Sequence, residues 1–326
     1  MTKRRILICG ATGFIGRNLT ESLARRDDLE VHAVRFTRTA YECSGVRWHQ
    51  ADLRQPEDVA RVMAGMDVVV HAAAVTSGSK QVVARPHIHV TDNAVMTALL
   101  LRAAFDLDVS HFIFFSCSVM YPSSAQPQRE ADFDISKPLH PRYFGAGWTK
   151  LYAEKMCEFY AAQGKTRHTV VRHSNIYGPY DKFDLENSHV FGATITKAMT
   201  ATDGRIIVWG TGEEARDLLH VEDLTTFVEL ALDQQRTSLE LVNVGSGDAV
   251  MVRDLAARIV AASGRSLEIV YDPAGPSIPT TVSLDCALAA ERFGWQPRIG
   301  LDEGIRRTLA WWRQTYGDDA LQKTQH

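Results

Sequence analysis

The sequence predicts an α/β fold, a doubly wound parallel sheet followed by a smaller C-terminal lobe. Three observations carry this prediction. A short apolar run ends in a glycine-rich turn at residue 10, further apolar runs alternate with helical stretches at 56–64 and 92–105, and the chain is long. Strands that alternate with helices favour parallel pairing. A chain of 326 residues, 45% of them hydrophobic, can bury a large domain and a second lobe.

The first element is a strand over 5–9 that runs into a turn and then a helical pattern. Glycines recur at Gly10, Gly13 and Gly16, with Thr12, Phe14 and Ile15 between them. This spacing permits a tight turn, close approach of the backbone to a pyrophosphate, and packing of helix on strand. A plain strand-to-helix turn is the alternative. The strands that follow favour a Rossmann-type dinucleotide site.

Three further strands are predicted at 30–35, 46–50 and 67–74. Ligands of such sheets lie at the carboxyl ends of the strands. We therefore expect Asp52 and Leu53 beside the adenine of the cofactor. The small residues that end the fourth strand, Ala72, Ala73 and Ala74, are expected along the cofactor backbone.

The end of the second strand bears on which cofactor binds. An acidic residue there would accept the ribose hydroxyls of NAD, whereas this chain has Arg35 and Arg38. Two guanidinium groups suit a 2′-phosphate, so NADP is favoured, with NAD as the alternative. A solvated basic loop would explain the same residues without a ligand.

Composition narrows the remaining classes of protein. A net charge of −3 argues against nucleic acid as a partner, and no apolar run is long enough to span a bilayer. The basic start leads into a strand rather than a signal peptide, so a cytoplasmic location is expected. The five cysteines have no metal-ligand spacing, which predicts free thiols and no metal site.

Motifs of the second half carry a family resemblance. They are 171–180 (VRHSNIYGPY), 187–190 (NSHV), 208–212 (VWGTG) and 216–224 (RDLLHVEDL). Together they resemble the extended short-chain dehydrogenases/reductases, the NAD(P)-dependent nucleotide-sugar epimerase/dehydratase family, and most of all its GDP-fucose synthase type. The resemblance runs from about residue 4 to 312. It implies a dinucleotide-binding domain at 1–172, to which parts of 205–250 return, and a mainly substrate-binding lobe at 173–326.

The sequence departs from this family at its proton relay. The family places a Tyr four residues before a Lys on one helical face, where the ammonium lowers the pKa of the Tyr. Lys150 matches the Lys, but the Tyr position is Ala146. The family's Ser or Thr, four residues before Tyr121, is Cys117 here. A thiol suits proton transfer at carbon. Alternatively, Cys117 is a buried inert residue and Ser116 or Ser118 bonds the sugar.

Two side chains could take over the missing acid. Tyr143 lies seven residues before Lys150, too far along a regular helix to share its proton site. Gly145 and Gly147 make a non-helical path through 143–148 plausible, which would bring Tyr143 closer. His189 matches the family's acid for epimerisation. The family's partner Cys falls at Val119, so Cys117 would have to act from two positions away, on the same side of the strand.

The resemblance also implies the groups that anchor the substrate. Lys197 and Arg216 match cations on the nucleotide diphosphate, and Trp209 matches a residue near the base. Asn175 would bond the substrate or order its loop. Core packing of Trp209 and solvated surface charges at 197 and 216 are the alternatives.

The sequence therefore predicts an NADP-preferring epimerase, 4-keto reductase or both, acting on a 6-deoxy-4-keto hexose nucleotide that is GDP-linked. Lys150 would hold the nicotinamide ribose while Ser118 and Tyr143 stabilise the oxyanion. A 4,6-dehydratase is disfavoured, because 119–120 is Val-Met where that class has an acid/base pair. A non-catalytic binding protein remains the rival. Amphipathic stretches at 92–105 and 149–162 favour a homodimer.

Overall fold

The computed structural model describes residues 3–76 and 78–317, which form strands and helices in close alternation. The strands are β1 (Arg4–Cys9), β2 (Leu29–Arg35), β3 (Val46–Gln50), β4 (Val68–His71), β5 (His111–Phe115), β6 (Arg167–His173), β7 (Asn175–Tyr177), β8 (Arg205–Trp209), β9 (Ala215–His220), β10 (Leu239–Val244), β11 (Ala249–Met251), β12 (Glu268–Asp272) and β13 (Thr281–Val282).

The helices follow most of these strands. They are α1 (Phe14–Leu23), α2 (Pro56–Met63), α3 (Ser79–Ala84), α4 (Thr91–Asp106), α5 (Phe144–Gln163), α6 (Val190–Thr200), α7 (Val221–Gln234), α8 (Val252–Ser263), α9 (Ala287–Phe293) and α10 (Leu301–Tyr316). Short 3₁₀ turns precede α4 and α5.

Seven strands form one sheet in the order β10-β6-β5-β4-β1-β2-β3. Every neighbouring pair is parallel. The chain runs outward from β1 to β3, then returns to β4 and continues outward on the other side. This reversal opens a crevice at the carboxyl ends of β1 and β4, where such sheets bind their ligands. The predicted fold class is confirmed.

Two layers of helices cover the sheet. Helices α1, α7 and α9 bury one face around a core that includes Leu19, Phe227 and Trp295. Helices α2, α4 and α5 bury the other face, with Leu100, Phe112 and Cys157 in its core. Strands buried on both faces have nearly continuous apolar sequences, which is why β1 and β4 could be predicted from the sequence.

The C-terminal lobe has a core of its own. Helices α6, α8 and α10 pack around Phe191, Ile259 and Leu309. Strands β7, β9, β11 and β13 form a small sheet beneath them, and β12 pairs with β8. Strand β10 lies within the 205–250 range and is the edge of the large sheet. The division of the chain at residue 172 stays a prediction.

One expected local path is wrong. Helix α5 begins at Phe144, so residues 144–148 are helical and do not form the irregular path that the two glycines were expected to permit. Their small size serves packing instead. A Cβ on Gly145 would lie 2.8 Å from Val90 Cγ2, and one on Gly147 would lie 2.7 Å from Leu139 Cδ1.

None of the helices within 3–76 and 78–317 combines the length and the apolar character that crossing a bilayer requires.

Candidate active site

The glycine turn after β1 is built for close backbone approach. Gly10 has a φ of +79°, and a Cβ there would lie 2.6 Å from Ala73 Cα. Any side chain would therefore push β1 and the segment after β4 apart. A Cβ on Gly16 would overlap the Gly10 carbonyl oxygen, so α1 can pack on this turn only with glycine there. These contacts show why the tight turn and the packing of α1 on it need Gly10 and Gly16, whereas the position of Ala72 and Ala73 along the cofactor stays a prediction.

The same turn leaves room for an anion. Gly13 is the N-cap of α1, and as a glycine it has no side chain to accept from the first N–H groups of the helix. Those groups belong to Phe14, Ile15 and Gly16, and the positive end of the helix favours a pyrophosphate there. Arg38 donates to the Thr12 carbonyl oxygen at 3.1 Å, which places its guanidinium at the mouth of the turn. The residues present therefore fit a dinucleotide.

The other residues predicted to bind the cofactor differ in their hydrogen-bond partners and in their exposure to solvent. Arg35 donates to Gln50 Oε1 at 2.9 Å across the neighbouring strand. Asp52 is paired with Arg54 at 2.8 Å, and this guanidinium holds the pKa of the carboxyl below its usual range. Leu53 is buried, whereas Ala74 is exposed beyond the end of β4.

A solvent-open cleft of about 490 Å³ lies between the large sheet and the C-terminal lobe. It brings together four of the residues predicted for chemistry or substrate binding, drawn from four different segments. The cleft is lined by Ser118, Val119, Tyr121, Pro122, Ser123, His140, Tyr143, Asn175, Ala215, Arg216, Thr280 and Val282.

Lys150 and Cys117 lie close enough to influence each other's pKa, although neither is among the residues that line the cleft. Lys150 Nζ donates to the Phe115 carbonyl oxygen at 2.7 Å and lies 4.8 Å from the Phe114 ring centroid. Burial lowers the pKa of Lys150, and the interaction with Cys117 partly opposes this shift. Burial likewise raises the pKa of the Cys117 thiol, against the influence of Lys150. The thiol is therefore a proton donor at neutral pH rather than a thiolate.

The two serines beside Cys117 have different positions. Ser116 is fully buried and donates to Glu154 Oε1 at 2.5 Å, so its hydroxyl is committed to the core. Ser118 faces the cleft. Of the two, Ser118 alone can bond a ligand there.

Tyr143 reaches the cleft although α5 is regular. It is the residue before α5, with φ −103° and ψ 3°, and its ring lies 5.7 Å from that of His140. Burial raises the pKa of its phenol, and Arg216 and Cys117 are among the groups that act on it. Tyr143 is thus a protonated hydrogen-bond donor beside Cys117 and Arg216. Ala146 provides only a methyl group one turn before Lys150.

His189 lies at the N-cap of α6, is exposed, and is not among the residues that line the cleft. The surrounding protein lowers the pKa of its imidazole, with further lowering from the cations Lys182 and Arg216. His189 also acts on His173, as does Lys150. The imidazole is therefore neutral at pH 7 and can accept a proton.

The predicted substrate anchors fall into two groups. Arg216 and Asn175 line the cleft, where Asn175 Nδ2 donates to the Asp217 carbonyl oxygen at 3.2 Å and so orders its own loop. Lys197 and Trp209 form a second pair, with Nζ 4.8 Å from the indole centroid. Lys197 also donates to the Ile207 carbonyl oxygen at 2.7 Å.

Sequence reasoning missed His140 in this cleft. Its Nδ1 accepts from the Arg142 backbone N–H at 3.3 Å, which leaves the proton of the neutral ring on Nε2. A signal was present, because a His directly before Pro141 marks the turn that leads into α5. Thr280 and Val282 carry no such signal, since only the tertiary fold places β13 against this cleft.

Comparison with known proteins agrees with this geometry. Residues 6–245 match the model of the NAD dependent epimerase/dehydratase family, which is well over half of the chain. The chain belongs to this family, and it is an NAD(P)-dependent enzyme of the nucleotide-sugar epimerase and reductase class. The resemblance predicted from its motifs is confirmed.

Several relatives span nearly the whole chain. GDP-L-fucose synthase of Escherichia coli is 29% identical over 95% of this chain and 97% of its own length. GDP-L-colitose synthase of Yersinia pseudotuberculosis is 25% identical, covering 97% and 100%. GDP-mannose 3,5-epimerase 1 of rice is 29% identical, covering 95% and 82%.

Solved structures share the fold at lower identity. UDP-glucose 4-epimerase of Thermotoga maritima superposes with a TM-score of 0.85 at 24% identity, covering 95% of this chain and 99% of its own. UDP-glucose 4-epimerase of Thermus thermophilus, in complex with NAD, gives 0.80 at 24% identity with the same coverage.

Proposed function

We propose that this protein is an NADP-preferring epimerase, 4-keto reductase or both, acting on a GDP-linked 6-deoxy-4-keto hexose. One observation carries the proposal. Ser118, Tyr143 and Arg216 line one cleft, and Cys117, which interacts with Lys150, also acts on the Tyr143 phenol. Relatives named for GDP-sugar chemistry support the choice of guanosine diphosphate.

The pKa directions suggest how a proton would move at a carbon next to the ketone. Neutral His189 accepts the proton, and the protonated thiol of Cys117 returns one from another side. Ser118 and Tyr143 donate to the ketone oxygen while negative charge develops on it. Lys150 would hold the nicotinamide ribose, and Arg216 the diphosphate. Bound NADPH would supply hydride to the carbonyl.

The cofactor preference depends on the residues around the glycine turn. Arg38 stands at its mouth, where a 2′-phosphate could form charge-assisted hydrogen bonds. Replacing Arg38 with Ala should weaken NADPH binding about tenfold, as loss of one such bond predicts, and leave NADH binding nearly unchanged. Arg47→Ala is the matched control, since Arg47 pairs with Glu30 on the same side of the sheet. Equal losses for both cofactors would argue against NADP preference.

Proton NMR in heavy water tests the reaction itself. The protein is mixed with a GDP-4-keto-6-deoxyhexose, with and without NADPH. Deuterium entering C3 or C5 without NADPH would establish epimerisation. Loss of the ketone only when NADPH is present would establish reduction.

Variants of the two proton carriers sharpen this experiment. Cys117→Ser and His189→Asn should each slow deuterium exchange by roughly 10²-fold or more, as removal of an acid or base group does. Cys43→Ser and His87→Asn remove a free thiol and an imidazole to which no part in the reaction is assigned, and should exchange at the wild-type rate. Unchanged exchange in both active-site variants would refute the roles assigned to Cys117 and His189.

A non-catalytic nucleotide-sugar binding protein is the second candidate, and Ala146 is the observation that favours it. In that case the GDP-sugar would bind, but neither exchange nor reduction would follow. Binding measured by calorimetry alongside the NMR experiment separates the two functions.

We also propose a homodimer in a reducing compartment such as the cytoplasm. Phe144, Trp148, Tyr152 and Phe159 leave an exposed apolar stripe along α5, next to Val95 and Phe105 of the neighbouring α4. A second copy of this pair of helices would cover the stripe as a four-helix bundle. All five cysteines are free, which supports a reducing environment.

A further inference from the structure

The segment 273–280 leads to the candidate active site, where its last residue, Thr280, lines the cleft. It joins β12 to β13 and contains three prolines, at 273, 276 and 279. Prolines stiffen a segment and have no N–H to donate, so it presents mainly carbonyl acceptors. We call residues 273–280 the strap.

The strap is anchored on the wall formed by the dinucleotide-binding part. Ser79 Oγ, at the start of α3, donates to the Pro276 carbonyl oxygen at 2.8 Å. Arg142, directly before Tyr143, donates to the Ser277 carbonyl oxygen. Two consecutive carbonyls of the strap are thus held by two distant segments.

On the other side of the cleft, the strap is held by Arg216, the side chain expected to bind the diphosphate. Arg216 donates to the carbonyl oxygens of Ile278, at 2.7 Å, and of Thr280. These bonds, together with one to the Ala215 carbonyl oxygen, direct its guanidinium toward backbone oxygens. Three of its five N–H groups are therefore occupied by backbone carbonyls of the protein itself.

The strap also covers the residue expected near the base. A Cβ on Gly275 would lie 2.5 Å from Trp209 Cδ1, so the strap backbone rests on the indole. Lys197 is likewise in contact with this indole. No space for a base remains between Gly275 and Trp209 in this arrangement.

A buried carboxylate beside the strap lacks a partner. Glu214 is 7% exposed, and its Oε2 has no hydrogen bond within the described part of the chain. Its other oxygen lies against Gly210, as does the Ser277 side chain. A buried acceptor without a donor destabilises the arrangement that contains it. The closed strap therefore leaves a polar group unsatisfied.

We propose that the strap closes the nucleotide half of the cleft, and that the substrate diphosphate displaces its carbonyls from Arg216. This inference rests on the proposed function. Phosphate oxygens are charged and bind a guanidinium more strongly than neutral carbonyls do, so the exchange favours the ligand. Only the open fraction of the protein binds at first, which reduces the apparent affinity by that fraction.

Stopped-flow tryptophan fluorescence with GDP tests the strap in the protein loaded with NADP. Strap opening should limit binding to the wild type, so the observed rate should reach a plateau as GDP increases. Arg142→Ala removes one anchor and should raise that plateau about tenfold, as loss of one charge-assisted hydrogen bond predicts. Gly275→Ala should act in the same direction, because its Cβ would press the strap away from Trp209. Arg129→Ala is the control, since Arg129 pairs with Asp132.

Three results would overturn the proposal in distinguishable ways. GDP binding whose rate rises without a plateau and is unchanged in Arg142→Ala would remove the strap and leave the proposed function intact. A plateau that Arg129→Ala raises equally would assign the slow step to another motion. If neither GDP nor UDP binds to any variant, the proposed function itself is wrong and the strap has no ligand to admit.

Discussion

Ala146 is the residue that separates this chain from the usual chemistry of its family. A hydroxyl one turn before Lys150 would lie beside the ammonium, which would lower its pKa. The cleft instead offers Tyr143, whose phenol approaches from the turn before α5 and whose pKa burial raises. The remaining donors favour stabilising an oxyanion over delivering a proton quickly to an alkoxide.

Restoring the hydroxyl should restore reduction. Ala146→Tyr is expected to raise the rate of NADPH-dependent ketone loss by roughly 10²-fold, the lower end of what a positioned acid contributes. Ala146→Phe supplies the ring without the hydroxyl and should not raise the rate. The measurement is NADPH consumption with a GDP-4-keto-6-deoxyhexose. A gain in both variants would attribute the effect to packing.

Some residues of the candidate site could be predicted from the sequence and others could not. The glycines at 10, 13 and 16 could be predicted because their chemistry is local to one turn. Tyr143 was predicted to approach through an irregular path that does not exist, since α5 already begins at Phe144. His140 and Thr280 reach the cleft from segments far apart in sequence. Contacts between such distant residues depend on how the two lobes pack, and no short sequence motif determines that packing.

Helix α5 positions more of the candidate site than any other single element that the structure describes. It holds Lys150 and is tied to β6 by a buried ion pair between Glu154 and Arg172 at 2.7 Å. Arg172 also donates to the Tyr121 hydroxyl at 2.9 Å, and Ser116 donates to Glu154. This network fixes α5 against the segment that follows β5 and contains Cys117. The sequence predicted α5 by its periodicity but not this pair, because Glu154 and Arg172 belong to different elements.

Breaking that pair should be costly. Arg172→Met would leave Glu154 buried without its cation and should lower the free energy of unfolding by about 3–5 kcal/mol. Adding Glu154→Gln to it should recover part of the loss. Arg102→Met is the control, because its exposed pair with Asp106 contributes about 0.5 kcal/mol or less. Urea unfolding measures all three, and equal losses at 102 and 172 would contradict the role given to the network.

At the scale of the whole molecule, buried histidines make stability depend on pH. Burial lowers the pKa of His71 and His111 to about 3, and of His168 and His220 to about 4. As pH falls below about 6.5 the unfolded chain binds these protons first. Their stabilising effect is therefore complete above pH 6.5 and decreases towards pH 4.

Protonation of each of these histidines in the unfolded chain should lower the free energy of unfolding by about 2 kcal/mol between pH 7 and pH 5. Asp181 opposes one of them, because burial raises its pKa to about 7 and its folded form protonates first. His168→Leu should reduce the fall in stability by about 2 kcal/mol over the same range. Urea unfolding at pH 7, 6 and 5 measures this, and a flat profile for the wild type would contradict the prediction.

The exposed apolar stripe on α5 leads to a prediction about the oligomeric state of the whole molecule. Tyr152→Glu together with Phe159→Glu places two charges where a partner copy would bury aromatic rings, and should convert a dimer into a monomer. Lys155→Glu, on an exposed position of the same helix, is the control for added negative charge. Sedimentation velocity reports the outcome, and a monomeric wild type would exclude the bundle.

The position of β10 in the chain has a consequence for biosynthesis. The first six strands of the large sheet end by residue 173, but the seventh spans residues 239–244, and helices α7 and α9 cover one face only later. A ribosome making this protein therefore releases most of the sheet with one face covered only in part, by α1, and with an edge unpaired. Such a nascent chain exposes apolar surface until the later helices and β10 have been made, so chaperone capture would act chiefly in that interval.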